Sequence, residues 1–108
     1  MDEEAQAAAA RLVRRLKGGY TVTIAESCTG GLLASTLTDI AGASAWFNQA
    51  WVTYSYEAKI QELNVSRELL EKKGAVSAEV AIQMAQGALA RAHADIAISI
   101  TGIAGPGN

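Results

Sequence analysis

Ser27 and Cys28 lie in a short turn whose residues could support nucleophilic or anion-binding chemistry. The turn, residues 25–31 (AESCTGG), follows a β-like stretch at 20–24 and precedes an apolar, helix-like stretch at 32–37. Where a strand turns sharply into a helix, the backbone N–H groups at the helix start are unpaired and attract anions. Two glycines would let the backbone approach a ligand closely. The pattern suits either a serine nucleophile with an oxyanion site or a phosphate-binding turn.

A serine hydroxyl needs a base to remove its proton. The only histidine, His93, lies near the end of a predicted helix, where a surface position is the simpler interpretation. A lysine can act as the base if burial lowers its pKa. Ser27, Tyr54 and Lys59 could therefore form a Ser-Lys-Tyr amidohydrolase site. The alternative makes Lys59 a surface residue paired with Glu62 and leaves Tyr54 half-buried in a sheet.

The other polar residues of the turn have more than one possible role. Cys28 is more typical of a small buried hydrophobe than of a nucleophile. Thr29 is predicted to cap the following helix. Gly30 and Gly31 are either backbone donors to an anion or ordinary helix-start glycines. Glu26 could orient the lysine or could be a solvated loop acid.

Helix-like and strand-like patterns alternate along the chain and must position these residues. The predicted helices span 3–16, 29–38 and 55–63, with a short one from Ser66 and a longer one from Ser77 to 93, and the predicted strands span 20–25, 46–54 and 95–100. This alternation predicts an α/β layered domain with a largely parallel sheet. The loops at 27–31 and 101–107 follow strand ends, where ligands bind in open α/β sheets. They would share one rim if the two strands are parallel neighbours.

Composition narrows the classes of function. With 108 residues, half of them hydrophobic, and a net charge of −2, we expect one domain and no nucleic-acid partner. Neither the single histidine nor the spacing of the acids indicates a metal site. Cys28 is the only cysteine, which favours a reducing compartment. The alanine-rich stretch at 5–10 is too short to span a membrane, so we expect a cytoplasmic protein.

Four short blocks along the chain carry a family resemblance. They are AESCTGG at 25–31, VTYS followed by EAK within 52–59, GAVS at 74–77 and TGIAGPG at 101–107. Together they resemble the CinA carboxy-terminal domain family, the PncC-like nicotinamide-nucleotide amidohydrolases. The resemblance implies a three-layer α/β/α fold and deamidation of nicotinamide mononucleotide to nicotinate mononucleotide and ammonia. It implies no cofactor and no metal.

The resemblance also implies roles for individual residues. Ser27 is the implied nucleophile, activated by Tyr54 and Lys59. The implied oxyanion and substrate-binding residues lie in the two loops: Thr29, Gly30, Gly31, Thr101, Gly102 and Gly105. The loop at 101–107 is the candidate for the substrate phosphate, although the loop at 27–31 competes with it.

Family domains continue beyond the Gly-Pro-Gly loop with further strands and a helix. The sequence stops at Asn108, so we expect a truncated domain over 1–108. An exposed sheet edge would favour self-association, and we expect a homo-oligomer. Two other classes remain open: a nucleotide-binding or regulatory module without turnover, and an oligomerisation domain built on the apolar helix from Ser77.

Overall fold

The computed structural model describes residues 18–102 together with residues 7, 11, 14 and 16. The predicted helix at 3–16 lies largely outside the described residues, as does the part of the second loop from 103 onward. The described elements, in chain order, are β1 (Val22–Glu26), α1 (Leu32–Thr38), a 3₁₀ turn (Ala43–Ala45), β2 (Phe47–Val52), α2 (Tyr56–Leu63), α3 (Arg67–Lys73), α4 (Ala78–Ala92) and β3 (Ile96–Ile100). The predicted alternation is confirmed, and each strand begins and ends within two residues of its predicted limits.

The three described strands form a parallel sheet in the order β2-β1-β3. The chain leaves β1 toward one side to form β2 and then crosses back past β1 to form β3. Because β-α-β crossovers are right-handed, this reversal places α1 on one face of the sheet and α2 to α4 on the other. The result is the predicted α/β/α arrangement, with β1 at its centre.

Two hydrophobic clusters lie on opposite faces of this sheet. Side chains alternate along a strand, so Val22 and Ile24 pack into one cluster and Ala25 into the other. The first cluster contains Leu16, Val22, Ile24, Leu37 and Trp46. The second contains Ala25, Leu63, Val65, Leu70, Val80, Met84 and Ala88. Packing on both sides buries all five residues of β1.

The strand β3 is less buried than its sequence suggests. Its largely apolar sequence (IAISI) favours full burial, but all five of its residues are only partly covered. Within the described sheet β3 is an edge strand, since it pairs only with β1. An edge strand lacks a neighbour on one side, and that is the physical reason for the difference.

Serine caps fix where three of the helices begin. The hydroxyls of Ser55, Ser66 and Ser77 accept hydrogen bonds from the backbone N–H three residues later. The helices predicted from Ser55, Ser66 and Ser77 therefore begin where the sequence places them. A serine at this position satisfies one of the unpaired donors of the first turn.

The helix α1 begins differently from our prediction. It starts at Leu32 rather than Thr29, its N-cap is Gly31, and no side chain of the cap residue bonds the helix. Gly30 and Gly31 both have positive φ, at 63° and 100°, a conformation that glycine adopts without a Cβ penalty. The turn is therefore longer than predicted, and Thr29 is not the N-cap.

Candidate active site

The carboxyl ends of the three strands bring the two loops together. The Ser27 N–H donates to the Ile100 carbonyl at 3.1 Å, and the Thr53 N–H donates to the Glu26 carbonyl at 2.8 Å. A Cβ at Gly102 would lie 3.2 Å from the Cys28 Sγ. The described start of the second loop, Thr101 and Gly102, therefore lies on the same rim as the Ser27 turn. In doubly wound sheets this rim, at the point where strand order reverses, is the usual place for a ligand.

Lys59 extends from the first turn of α2 into the interior, beneath the Ser27 turn. Its side chain is 0% exposed. The Nζ donates to the Ser27 Oγ at 2.9 Å, to the Thr53 carbonyl at 2.6 Å and to the Tyr54 carbonyl at 3.2 Å. The alternative that made Lys59 a surface residue is wrong, because α2 follows β2 at the end of β1 and the Lys59 Nζ bonds Ser27 there.

Burial changes the acid–base behaviour of this amine. Loss of hydration disfavours the charged form and lowers the pKa of Lys59, while the neighbouring Cys28 opposes that change. Among the described residues no carboxylate forms an ion pair with Lys59. A buried lysine with a lowered pKa next to a serine hydroxyl is a chemically competent base and nucleophile pair.

The Glu26 side chain reaches from the end of β1 to the start of α1 and forms no hydrogen bond or ion pair with Lys59. Its carboxylate accepts hydrogen bonds from the Thr29 hydroxyl, from the Leu33 N–H at 3.1 Å and from the Ala34 N–H at 2.9 Å. Glu26 is fully buried, so both roles that we considered for it are wrong. The carboxylate satisfies the donors that a helix start leaves unpaired, and these N–H groups are not available to a phosphate.

The backbone N–H groups of residues 28–31 are the donors that remain near Ser27. None of them donates to a protein acceptor within the part of the chain that the structure describes. Cys28 and Thr29 are half-buried and Gly30 is exposed, so Cys28 is less enclosed than the buried hydrophobe we predicted. Free N–H groups adjacent to a serine could stabilise an oxyanion.

The structure does not bring the phenol of Tyr54 to the Ser27–Lys59 pair. The residue follows the end of β2 and is 72% exposed, rather than half-buried in the sheet. Its backbone carbonyl is the part that contacts Lys59. Within the described residues its hydroxyl forms no hydrogen bond, so the chain places Tyr54 at the rim, beside the site.

Sequence reasoning missed Thr53. Its carbonyl accepts the shortest of the three Lys59 hydrogen bonds, and its own hydroxyl is buried without a partner among the described residues. The residue lies inside the VTYS block, but a contribution from a backbone carbonyl leaves no signal in the residue type. Only the path of the chain reveals it.

The second loop is attached to the segment before α4. The Thr101 hydroxyl donates to the Ala75 carbonyl at 2.7 Å, which links the end of β3 to the GAVS block. Gly102 lies against Cys28 as described above, and Gly105 lies outside the described residues. His93 is exposed at the C-cap of α4 with φ of 52°, consistent with its predicted surface position.

Two other features, a metal-binding cluster and a membrane-spanning helix, are absent from the part of the chain that the structure describes. It holds no group of three or more His, Cys, Asp and Glu side chains that could bind a metal ion. None of its helices is both long enough and apolar enough to cross a bilayer.

Comparisons with known proteins place this geometry in a family. The family model for the CinA C-terminal domain matches residues 4–108. The nicotinamide-nucleotide amidohydrolase PncC of Escherichia coli K12 is 60% identical over 88 residues, which make up 82% of this chain and 53% of that protein. A CinA-like protein of Geotalea daltonii is 57% identical over 90 residues, or 83% of this chain and 22% of that protein.

A solved structure agrees with the fold over the whole chain. The competence/damage inducible protein CihA of Agrobacterium tumefaciens superposes with a TM-score of 0.92 at 46% identity, covering 100% of this chain and 66% of that one. This chain spans about half the length of the Escherichia coli amidohydrolase named above. The match of the family model and these identities show that the chain belongs to the CinA carboxy-terminal domain family.

Proposed function

We propose that this domain is a serine amidohydrolase that converts nicotinamide mononucleotide to nicotinate mononucleotide and ammonia. The observation that carries the proposal is the buried Lys59 Nζ, 2.9 Å from the Ser27 Oγ. The name of the Escherichia coli relative, nicotinamide-nucleotide amidohydrolase, supports the choice of substrate. A Ser-Lys pair is otherwise compatible with several acyl-transfer reactions.

The first chemical step uses the lowered pKa of Lys59. In its neutral form the amine keeps its two N–H groups on the Thr53 and Tyr54 carbonyls and accepts the hydrogen bond of the Ser27 hydroxyl. It takes that proton as the Ser27 oxygen attacks the carboxamide carbon of the substrate. Negative charge then develops on the carboxamide oxygen. The free N–H groups of residues 28–31 directly follow Ser27 in the chain, and we assign them as the donors that stabilise this charge. A donor of this kind is worth about 3–4 kcal/mol in comparable sites.

The second step returns the proton. The ammonium form of Lys59 is held by the Thr53 and Tyr54 carbonyls and donates a proton to the departing nitrogen. Ammonia leaves, and a water molecule activated by the same amine hydrolyses the acyl-serine. We assign Tyr54 a role at the entrance of the site, where its exposed phenol would relay protons or contact the bound nucleotide.

The substrate phosphate requires a separate anion site. We propose the loop beginning at Thr101 and Gly102 and including Gly105, because Glu26 already occupies the N–H groups of Leu33 and Ala34 at the start of α1. Thr29, Gly30 and Gly31 would contact the carboxamide end. We further propose that residues 1–108 act as one domain of a cytoplasmic homo-oligomer.

Ammonia release from nicotinamide mononucleotide tests this function. The chain is compared with Ser27→Ala, and both samples are first shown to be folded by circular dichroism. We expect release from the parent chain and none above background from the variant. A folded parent chain that binds the nucleotide without releasing ammonia would contradict the proposal and favour a nucleotide-binding or regulatory module.

A further inference from the structure

Glu26 is a buried acid whose hydrogen bonds enclose the turn that carries Ser27. It is the last residue of β1 and directly precedes Ser27. Its carboxylate bonds Thr29 in the middle of the turn and the N–H groups of Leu33 and Ala34 beyond it. Burying a carboxylate costs free energy unless hydrogen bonds compensate. An apolar side chain at this position would avoid that cost, so the hydrogen bonds of Glu26 are what make its burial possible.

These contacts close the turn into a ring. The chain leaves β1 at Glu26, runs through residues 27–31 and returns to the carboxylate at Leu33. The cap residue Gly31 offers no side chain to the helix, so Glu26 performs the capping from the strand. Two successive residues with positive φ lie in this ring, and glycine provides no side-chain packing to hold them there.

We propose that Glu26 is a positioning residue for the nucleophile. It holds the turn in one shape, so that the Ser27 Oγ stays at the Lys59 Nζ and the N–H groups of residues 28–31 keep a fixed relation to that oxygen. The inference rests on the proposed function, since it assumes that Ser27 attacks a carbonyl carbon. The Glu26 carboxylate hydrogen-bonds neither Lys59 nor the Ser27 hydroxyl.

The Glu26→Gln variant separates positioning from support of the fold. Glutamine keeps the size of the side chain but replaces one acceptor oxygen with an NH₂ donor, which cannot accept from a helix N–H. The matched control is Glu57→Gln, since Glu57 is an exposed acid of α2 that pairs with Arg67. Two rates are measured on folded protein: the turnover of nicotinamide mononucleotide, and the labelling of Ser27 by a fluorophosphonate.

We expect both rates to fall by about 10- to 100-fold in Glu26→Gln, the size of effect that a displacement of about 1 Å produces. The KM and the pH midpoint of the rate should stay unchanged, because the base is untouched. Hydrogen exchange at the Leu33 and Ala34 amides should accelerate. The control should match the parent chain in every measurement. Wild-type rates in folded Glu26→Gln would overturn the proposal.

Two further outcomes keep the tests of Glu26 and of the proposed function distinct. A parent chain that is labelled at Ser27 but releases no ammonia refutes the proposed substrate, and the labelling rate still decides the role of Glu26. A folded parent chain that is never labelled refutes Ser27 as a nucleophile and the positioning role with it.

If Glu26→Gln does not fold, Thr29→Val removes one contact of the ring, and wild-type labelling in that variant would overturn the proposal.

Discussion

Replacement of Lys59 by methionine tests the central chemical claim. Methionine matches the unbranched stem of lysine and fills the same buried space, but it has no amine. Within the described residues, Lys59 is the side chain that hydrogen-bonds the Ser27 hydroxyl. The substitution therefore removes the proposed base and leaves Ser27 in place.

The size of the expected loss follows from the role of the amine. A positioned general base contributes typically about 10²- to 10⁴-fold to the rate. At about 1.36 kcal/mol for each factor of ten, this is about 2.7–5.4 kcal/mol of transition-state stabilisation. Because the amine acts as base for attack and as acid for departure of ammonia, we expect the loss in kcat/KM to lie in the upper half of that range.

Steady-state ammonia release from nicotinamide mononucleotide provides the measurement. The matched control is Lys72→Met, the same substitution at an exposed position of α3, and it should keep the parental kcat/KM. Circular dichroism verifies that each variant is folded. If folded Lys59→Met kept a tenth or more of the parental kcat/KM, Lys59 could not be the base.

The pH dependence of stability provides a second readout of the same residue. Burial lowers the pKa of Lys59 in the folded state, while the unfolded chain has the ordinary value of about 10.4. Between those two values the unfolded chain binds more protons, so the free energy of unfolding should rise with pH. Below the folded-state pKa both states carry the proton and the contribution is constant. Urea titrations should show this rise in the parent chain and its loss in Lys59→Met.

Three further substitutions test the framework around the site. Gly87→Ala should destabilise the fold by about 1–3 kcal/mol in urea unfolding, because its Cβ would overlap the Leu63 carbonyl oxygen and push α4 away from α2. Unchanged stability would refute this close packing of the two helices. Ser77→Ala should lower the free energy of unfolding by about 1 kcal/mol, since the hydroxyl caps α4 at the Val80 N–H, and a thermal melt identical to that of the parent chain would refute this. Thr53→Val removes a buried hydroxyl that has no partner among the described residues and keeps the backbone carbonyl that holds Lys59. We expect activity to be retained and the free energy of unfolding to stay equal or to rise by as much as about 3 kcal/mol. A clear loss of stability would reveal a partner for that hydroxyl.

The sequence determined the elements and their order. The serines at 55 and 77 act through backbone groups three residues away, and the apolar run of β1 needs only its own residues to be recognised. The motif at 25–31 likewise located the turn between strand and helix. These features depend on interactions within a few positions along the chain, which is the range that spacing and residue type describe.

The tertiary structure decided what the polar residues do. Ser27 and Lys59 are 32 positions apart, and their contact exists because the crossover through β2 returns α2 to the end of β1. The same fold exposes Tyr54 and directs Glu26 to the start of α1, two outcomes that residue type alone did not distinguish from their alternatives. The cost of burying a charged group depends on which polar partners surround it, and those partners take up their positions only when the chain folds.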